Sequence, residues 1–408
     1  MNTVSKVFCR VFQTAFHLAL PVLPYRTPEI YENIAGIGPL LRERKVGSVL
    51  LITDSALRSA GLTVPLETLL REQNIRCAVY DKTCPNPTVR NVEEARALYV
   101  DEKCQCLIAF GGGSSMDCAK AVGARVVYPN RSLDQLKGLL RVWRRLPPLI
   151  AIPTTAGTGS EVTVTAVITD SEKKHKYTMN NFTFIPPYAV LDPEVTFTLP
   201  PSVTATTGMD ALTHAVETYI GRSTTRLTRE KALEATKLVF ENVEKADGQD
   251  MEARANMLTA AYSAGVAFTR SYVGYIHAVA HSLGGQYNIP HGLANAVIMP
   301  YVLESYGPCV HKKLHELGIA SGVCTPAQSD EQAAAAFIQA IRDLNARMNI
   351  PAHLDGIQES DIPVMAAHAE KEANPLYPVP RLMTEEELEG FYRQVAAVED
   401  VRHGKRAS

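Results

Sequence analysis

The chain has 408 residues, with 46% hydrophobic and 21% charged side chains and 25 each of glycine and proline. That balance excludes disordered and fibrous chains, points to two domains, and lets a core form without disulfide or metal staples. Lys plus Arg (41) nearly cancels Asp plus Glu (43), and a net charge of −2 excludes nucleic-acid binding held by bulk electrostatics.

At the N-terminus, Lys6 and Arg10 precede an apolar stretch from Ala15 to Leu23, broken by His17 and Pro21. It is too short to span a bilayer and lacks the uninterrupted apolar core and cleavage site of a secretory leader. Val4, Val7, Phe8, Val11, Ala15 and Leu18 recur at helical spacing, which predicts an amphipathic helix packed on a domain by that face. A soluble, cytoplasmic protein without membrane contact is the expectation. The eight cysteines are scattered without a C-x-x-C pair, and reduced thiols fit them best, Cys104 and Cys106 included.

From Val46 to Pro193, short apolar runs alternate with helical stretches. VGSVLLITD (46–54), CAVYD (77–81), CLIAF (106–110), LIAIP (149–153) and AVLDP (189–193) read as strands covered on both faces, hence a parallel sheet. ALRSAGLTVPLETLLREQ and TVRNVEEARALYVDE between them carry helical periodicity, and such βαβ alternation predicts a doubly wound α/β domain. AVITD, SEKKHK and YTMNNFTF predict a hairpin-like insertion. Beyond TLPPS (198–202) helical patterns dominate: one begins at Thr228, one is led by Asp250, and a capping box at Thr384 to Glu387 opens another. The predicted domains are therefore residues 1–201, with a helical extension over 1–28, and residues 202–408.

Two strings in the first half suit a dinucleotide. In CLIAFGGGSSMDCAK a strand ends at Phe110, Gly111 to Gly113 turn the chain, and a helix begins near Met116, so backbone N–H groups face an anion. It is not the G-x-G-x-x-G fingerprint. IPTTAGTGSEVT (152–163) also follows a strand and offers Thr154, Thr155, Thr158 and Ser160 around two glycines. Asp54 ends a strand, where a carboxylate either accepts from an adenosine ribose, favouring NAD over NADP, or caps a helix.

In the second half the histidines cluster. Asp210 and His214 are four apart, and His277 and His281 repeat that spacing, so each pair shares a helix face. His291 follows Pro290 at a helix start or in a loop. A carboxylate with imidazoles suits Fe(II) or Zn(II), and the absence of thiolates argues against structural zinc. Spacing leaves open which three histidines are ligands. His17, His175, His311, His315, His353, His368 and His403 lie apart and read as structural or solvated. Phe268, Tyr272 and Tyr275, just before His277, either shape a substrate pocket or pack the core.

Taken together, GGGSSMD, PTTAGTGSEVT, LDPEVTFTLPPSVTATTGMDALTHAVE and HAVAHSLGGQYNIPHGLANAVIMP resemble the iron-containing (group III) alcohol dehydrogenase family, from about Tyr31 to the chain's end. The resemblance implies an N-terminal Rossmann-like α/β dinucleotide-binding domain and an all-α C-terminal metal-binding domain, a plan shared with dehydroquinate synthase. It implies that Asp210, His214, His277 and His291 hold the metal while His281 stays unliganded as a catalytic proton relay facing the nicotinamide. It places NAD(H) on Gly112, Gly113, Ser114, Ser115 and Asp117, on Thr154, Thr155 and Thr158, and on Asp54, Asn86, Val167 and Lys176. Residues before about Pro28 extend beyond the family's usual start.

The implied reaction is hydride transfer between a small primary or secondary alcohol, or its aldehyde or ketone, and NAD, in the cleft between domains and with Fe(II) or Zn(II) as Lewis acid. A homodimer or larger homo-oligomer is the implied assembly. Hydroxyacid–oxoacid transhydrogenase and glycerol dehydrogenase-like activities are the near alternatives. A dehydroquinate synthase-like lyase and a non-catalytic binding protein are remote ones, the first because Asp210 stands where that enzyme has Glu.

Overall fold

The computed structural model describes residues 3–172, 175–248 and 250–397. The chain forms two compact units. One contains Ala19–Ala215 and Arg226–Arg270; the other contains Met1–Leu18, Val216–Thr225 and Ser271–Ser408. Helices beyond residue 201 are thus distributed over both.

The first unit is built on a six-stranded parallel sheet of β1 (Glu29–Tyr31), β2 (Ser48–Ile52), β3 (Arg76–Tyr80), β4 (Cys106–Gly111), β6 (Leu149–Pro153) and β9 (Tyr188–Val190), in the order β1-β9-β6-β4-β2-β3. The central strands are apolar throughout because both faces are covered. Leu50, Ile52, Leu107 and Ala109 enter one core with the helices Val89–Asp101 and Gly113–Val127. Val49, Leu51, Ile108 and Phe110 enter another with the helices Ile37–Glu43 and Val64–Glu72. A smaller sheet joins β5 (Gly138–Leu139), β7 (Thr165–Asp170) and β8 (His175–Asn180), with β7 and β8 antiparallel as the hairpin reading requires. The helices Arg226–Ala246 and Met251–Ser271 complete the unit apart from Ser271, and Asp250 caps the second by accepting from Ala253 N–H at 3.0 Å.

Sequence reading and structure differ at three places. The long helix expected after β2 is split into Ser55–Ser59 and Val64–Glu72, because Gly61 adopts φ +76° and Pro65 starts a new turn. β1 and β5 carry no strand signal in the sequence, being only three and two residues long. The N-terminal helix, Thr3–Ala19, forms as expected, but its orientation is reversed: Val4, Val7, Phe8, Val11, Ala15 and Leu18 face outward, while Cys9 and Gln13 are buried.

The second unit is helical, built from Tyr275–Tyr287, His291–Tyr306, His311–Ala320, Asp330–Arg347, Ile362–Ala373 and Glu385–Val395 around buried Tyr275, Leu283, Phe337, Leu344, Phe391 and Tyr392. The expected capping box is present: Thr384 Oγ1 accepts from Glu387 N–H, and Glu387 accepts from Thr384 N–H at 2.8 Å. No described helix is long and apolar enough to cross a membrane. His403 and the side chain of His175 lie outside the described residues.

Candidate active site

The parallel sheet reverses its winding between β2 and β4: from β2 the chain moves outward to β3, then returns across to β4 and on to β6. The carboxyl ends of the strands flanking such a reversal diverge into a crevice where ligands bind. Asp54 follows β2, Asn86 follows β3, Gly111 ends β4 with Gly112 and Gly113 opening the next helix, and Thr154 to Thr158 follow β6, so these residues gather at the carboxyl ends of the strands.

The two glycine-bearing loops lie against each other. Thr154 N–H donates to Gly111 O at 3.0 Å. A Cβ on Gly113 would sit 3.2 Å from Thr158 Cγ2, and one on Gly112 would sit 3.4 Å from Thr155 Oγ1. Gly111 has φ +153°, and a Cβ there would meet Ser115 Oγ at 2.4 Å, so only glycine lets the turn close. Gly112 opens the helix without a side-chain cap, which presents the first-turn N–H groups to an anion. Asn86 and the hairpin join this group: Asn86 N–H donates to Ser114 Oγ at 3.3 Å, and Lys176 Nζ donates to Asn86 Oδ1 at 2.7 Å. Asp54 does cap the helix Ser55–Ser59, its Oδ1 accepting from Leu57 N–H at 2.9 Å.

Asp117 turns its carboxylate into the protein, accepting from the Ser160 hydroxyl at 3.1 Å and from Val167 N–H at 3.0 Å. Burial raises its pKa, against the pull of the Lys120 ammonium. Lys120, which sequence reasoning missed, is fully buried. Its Nζ reaches Ser160 O (2.7 Å), Thr163 Oγ1 (2.9 Å) and Thr165 O (2.8 Å), tying the β4 helix to the second loop. Burial pulls that ammonium down to about 8 and pushes the neighbouring Glu161 carboxyl up to about 7.

The helix Pro201–Ile220 carries Asp210 and His214 one turn apart. His277 and His281 share the helix Tyr275–Tyr287, and His291 is the first residue of the helix that follows Pro290. Asp210, His214, His277 and His291 each offer a ligand atom, and these atoms all lie within 4.8 Å of one another. One carboxylate and three imidazoles so grouped fit a divalent cation of the iron or zinc type. His281 is exposed, with its ring stacked on that of His291 at 5.0 Å.

Residues not singled out from the sequence orient this group. Glu217, buried two turns after Asp210, lies 2.6 Å from His277 Nδ1 through Oε2 and accepts N–H bonds from Gly274 (2.9 Å) and Ile276 (2.7 Å). This directs the opposite nitrogen, Nε2, toward the cluster. Burial pushes the Glu217 carboxyl up to about 8, against the pull of those N–H donors. Asn295 Nδ2 lies 3.2 Å from His277 Nε2 and 3.1 Å from His291 Nε2. Glu372 Oε1 holds His281 Nδ1 at 2.6 Å and accepts from the Tyr377 hydroxyl at 2.7 Å. Burial would raise the Glu372 pKa, but the His281 charge and these hydrogen bonds hold it below the usual carboxylate range. Only Glu217 had a sequence signal, standing three residues after His214 on one helix face; Glu372 is 91 residues from its partner.

Phe268 stacks flat on His214, with centroids 4.1 Å apart, and so fixes that ring. Tyr275 is core, its hydroxyl accepting from Met383 N–H at 3.2 Å. Tyr272 packs edge-on against Phe16 at 5.0 Å.

Comparison with known proteins bears on both halves of the chain. Residues 31–193 match the family described as iron-containing alcohol dehydrogenase, and residues 204–396 match the C-terminal part of the Fe-containing alcohol dehydrogenase family. The 1,3-propanediol dehydrogenase of Klebsiella pneumoniae is 38% identical over 351 residues, 85% of this chain and 90% of that one. The NAD-dependent methanol dehydrogenase of Bacillus methanolicus is 36% identical over 82% of this chain and 88% of its own. A crystal structure of a 1,3-propanediol oxidoreductase superposes with a TM-score of 0.87 at 35% identity, covering 91% of this chain and 98% of the other.

Proposed function

The chain belongs to the iron-containing alcohol dehydrogenase family and is an alcohol oxidoreductase using NAD, and from that premise we propose that its substrates are small primary alcohols and their aldehydes. The observation that carries this reading is the convergence of Asp210, His214, His277 and His291 within 4.8 Å in a chain that also carries two glycine loops at the winding reversal of its sheet. The relatives named for 1,3-propanediol and methanol support the substrate class. The matches over 31–193 and 204–396 support a dinucleotide half ending near residue 201 and a metal half from residue 202, while the helix Thr3–Ala19 groups with the helical unit.

Asp210, His214, His277 and His291 would hold the ion, which when bound supplies a Lewis acid for an alcohol or carbonyl oxygen. Glu217 keeps the His277 proton on Nδ1, so that Nε2 is the ligating atom. His281 takes up and returns the alcohol proton through Nε2, while Glu372 steadies Nδ1. Gly112, Gly113, Ser114 and Ser115 would hold the pyrophosphate together with Thr154, Thr155 and Thr158, and Asp117 ties their helix to Ser160 and Val167. Asp54 would take the adenosine ribose, Asn86 would contact the cofactor, and Val167 and Lys176 would line the nicotinamide end. The assembly is a homodimer or larger homo-oligomer, and the location cytoplasmic.

The test is NADH formation with a panel of small alcohols, using metal-free protein reconstituted separately with Fe(II) and Zn(II). Turnover of 1,3-propanediol and other primary alcohols that requires the metal is the expected result. Oxidation of a hydroxy acid only when an oxo acid is present, with no net NADH, would replace this reading by transhydrogenation.

A further inference from the structure

The helix Thr3–Ala19 wears its amphipathicity inside out. Its polar face is clamped to the helical unit: Arg10 Nη1 donates to Val379 O at 2.8 Å and Arg10 Nη2 to Pro380 O at 3.1 Å, while Gln13 Nε2 donates to Tyr377 O at 2.7 Å. Phe16 packs on Tyr272. These bonds fix the helix's rotation, and its apolar stripe faces away: Val4, Val7, Phe8, Val11 and Leu18 are 77%, 58%, 60%, 63% and 73% exposed. Val22, just beyond, is 82% exposed. Leaving so many contiguous large apolar side chains in water is unfavourable by roughly 25 cal/mol per Å², so such a patch marks a contact surface.

Charge selects the occupant. No acidic residue occurs among residues 1–28, whereas Lys6, Arg10 and Arg26 are basic. Lys6 borders the stripe, beside Val7 and Val11. A second copy of the chain is the weaker fit, because it would put a basic residue on each side of the contact with no carboxylate from residues 1–28 to pair it. An apolar stripe bordered by Lys6, on a segment free of carboxylates, matches a bilayer carrying anionic headgroups. We infer that the helix Thr3–Ala19 lies in the interface of an anionic phospholipid bilayer and holds the enzyme there as a peripheral protein. Peripheral binding differs from the expectation of no membrane contact, and the segment lies ahead of the matched family region, which begins at residue 31.

The experiment pellets full-length protein with phosphatidylcholine vesicles, with or without phosphatidylglycerol. Wild type pellets with the phosphatidylglycerol vesicles, Lys6→Glu weakens that binding, and the double variant Phe8→Asp/Val11→Asp lowers it about tenfold or more while its dehydrogenase activity in solution is kept. Wild type remaining in the supernatant, or the double variant pelleting equally well, overturns the proposal. So does sedimentation equilibrium showing a wild-type pair and a monomeric double variant, with neither binding vesicles; a second copy then covers the stripe. The activity assay reads the function separately from the anchor.

Discussion

At the scale of single residues, the site depends on side chains that hold the ligands rather than on the ligands alone. An imidazole has two nitrogens, and whichever keeps the proton cannot bind a metal. Glu217 faces His277 Nδ1 at 2.6 Å and Glu372 faces His281 Nδ1 at 2.6 Å, so in the proposed roles each carboxylate makes that choice for its imidazole. Glu217→Gln and His281→Ala should therefore separate. The first lowers metal affinity by about 10–100-fold, read as ion content after dialysis. The second lowers turnover with ion content intact, and loss of the ion from it would remove His281 from the proton-relay role. Asp54 separates two roles in the same way. Asp54→Asn keeps an acceptor for Leu57 N–H, so stability is retained while KM for NAD rises if the carboxylate serves the ribose. Asp54→Ala in addition costs about 0.5–2 kcal/mol in denaturant unfolding through loss of the helix cap.

At the scale of elements, close approach fixes the loop 154–160, the second loop proposed to hold the cofactor. Gly265, on the helix Met251–Ser271, lies against Gly159 of that loop, where a Cβ would stand 2.5 Å from Val162 Cγ2 and 3.0 Å from Gly159 O. Gly159 is itself left-handed at φ +60°, so neither backbone can yield easily. Gly265→Ala should destabilise the protein by about 1–3 kcal/mol and raise KM for NAD more than KM for the alcohol, as thermal melts and initial rates would record. In the helical unit, His315 ties the helix His311–Ala320 to the start of Asp330–Arg347, its Nδ1 lying 2.8 Å from Asp330 Oδ1 and its Nε2 3.0 Å from Thr325 O. The hydrogen bond to Asp330 raises the His315 pKa in the folded protein. A raised folded pKa gives stability that is fully present below the unfolded value and is lost as pH rises through the folded one. His315→Asn should lower Tm at about pH 5.5 and leave it nearly unchanged at about pH 8.5.

At the scale of the whole molecule, each compact unit has its own buried core, so ligands act on stability by mass action and not by completing a core. Loading the four-residue cluster with an ion at about 100 times its Kd should add about 2.7 kcal/mol, appearing as a Tm that falls with chelator and recovers with Fe(II) or Zn(II). A Tm indifferent to chelation would remove Asp210, His214, His277 and His291 from the ligand role.

The sequence by itself determined the element types, the glycine turns and the choice of candidate ligands, because these rest on local physics: strand runs buried on two faces, helical spacing of four, and turns that only glycine can make. The run from Val49 to Ile52 was legible as a doubly covered strand, and Asp210 with His214 as one helix face, before any packing was known. Tertiary structure alone decided the rest. Periodicity identified the apolar stripe of the first helix but not which way it faces, since that follows from Arg10 and Gln13 meeting carbonyls more than 360 residues away. Partners such as Glu372 for His281 and Lys120 for the Ser160 loop join segments far apart in the chain, and no local preference encodes them. The Lys120 contacts exist because a buried charge must find its hydrogen bonds wherever the folded backbone places them.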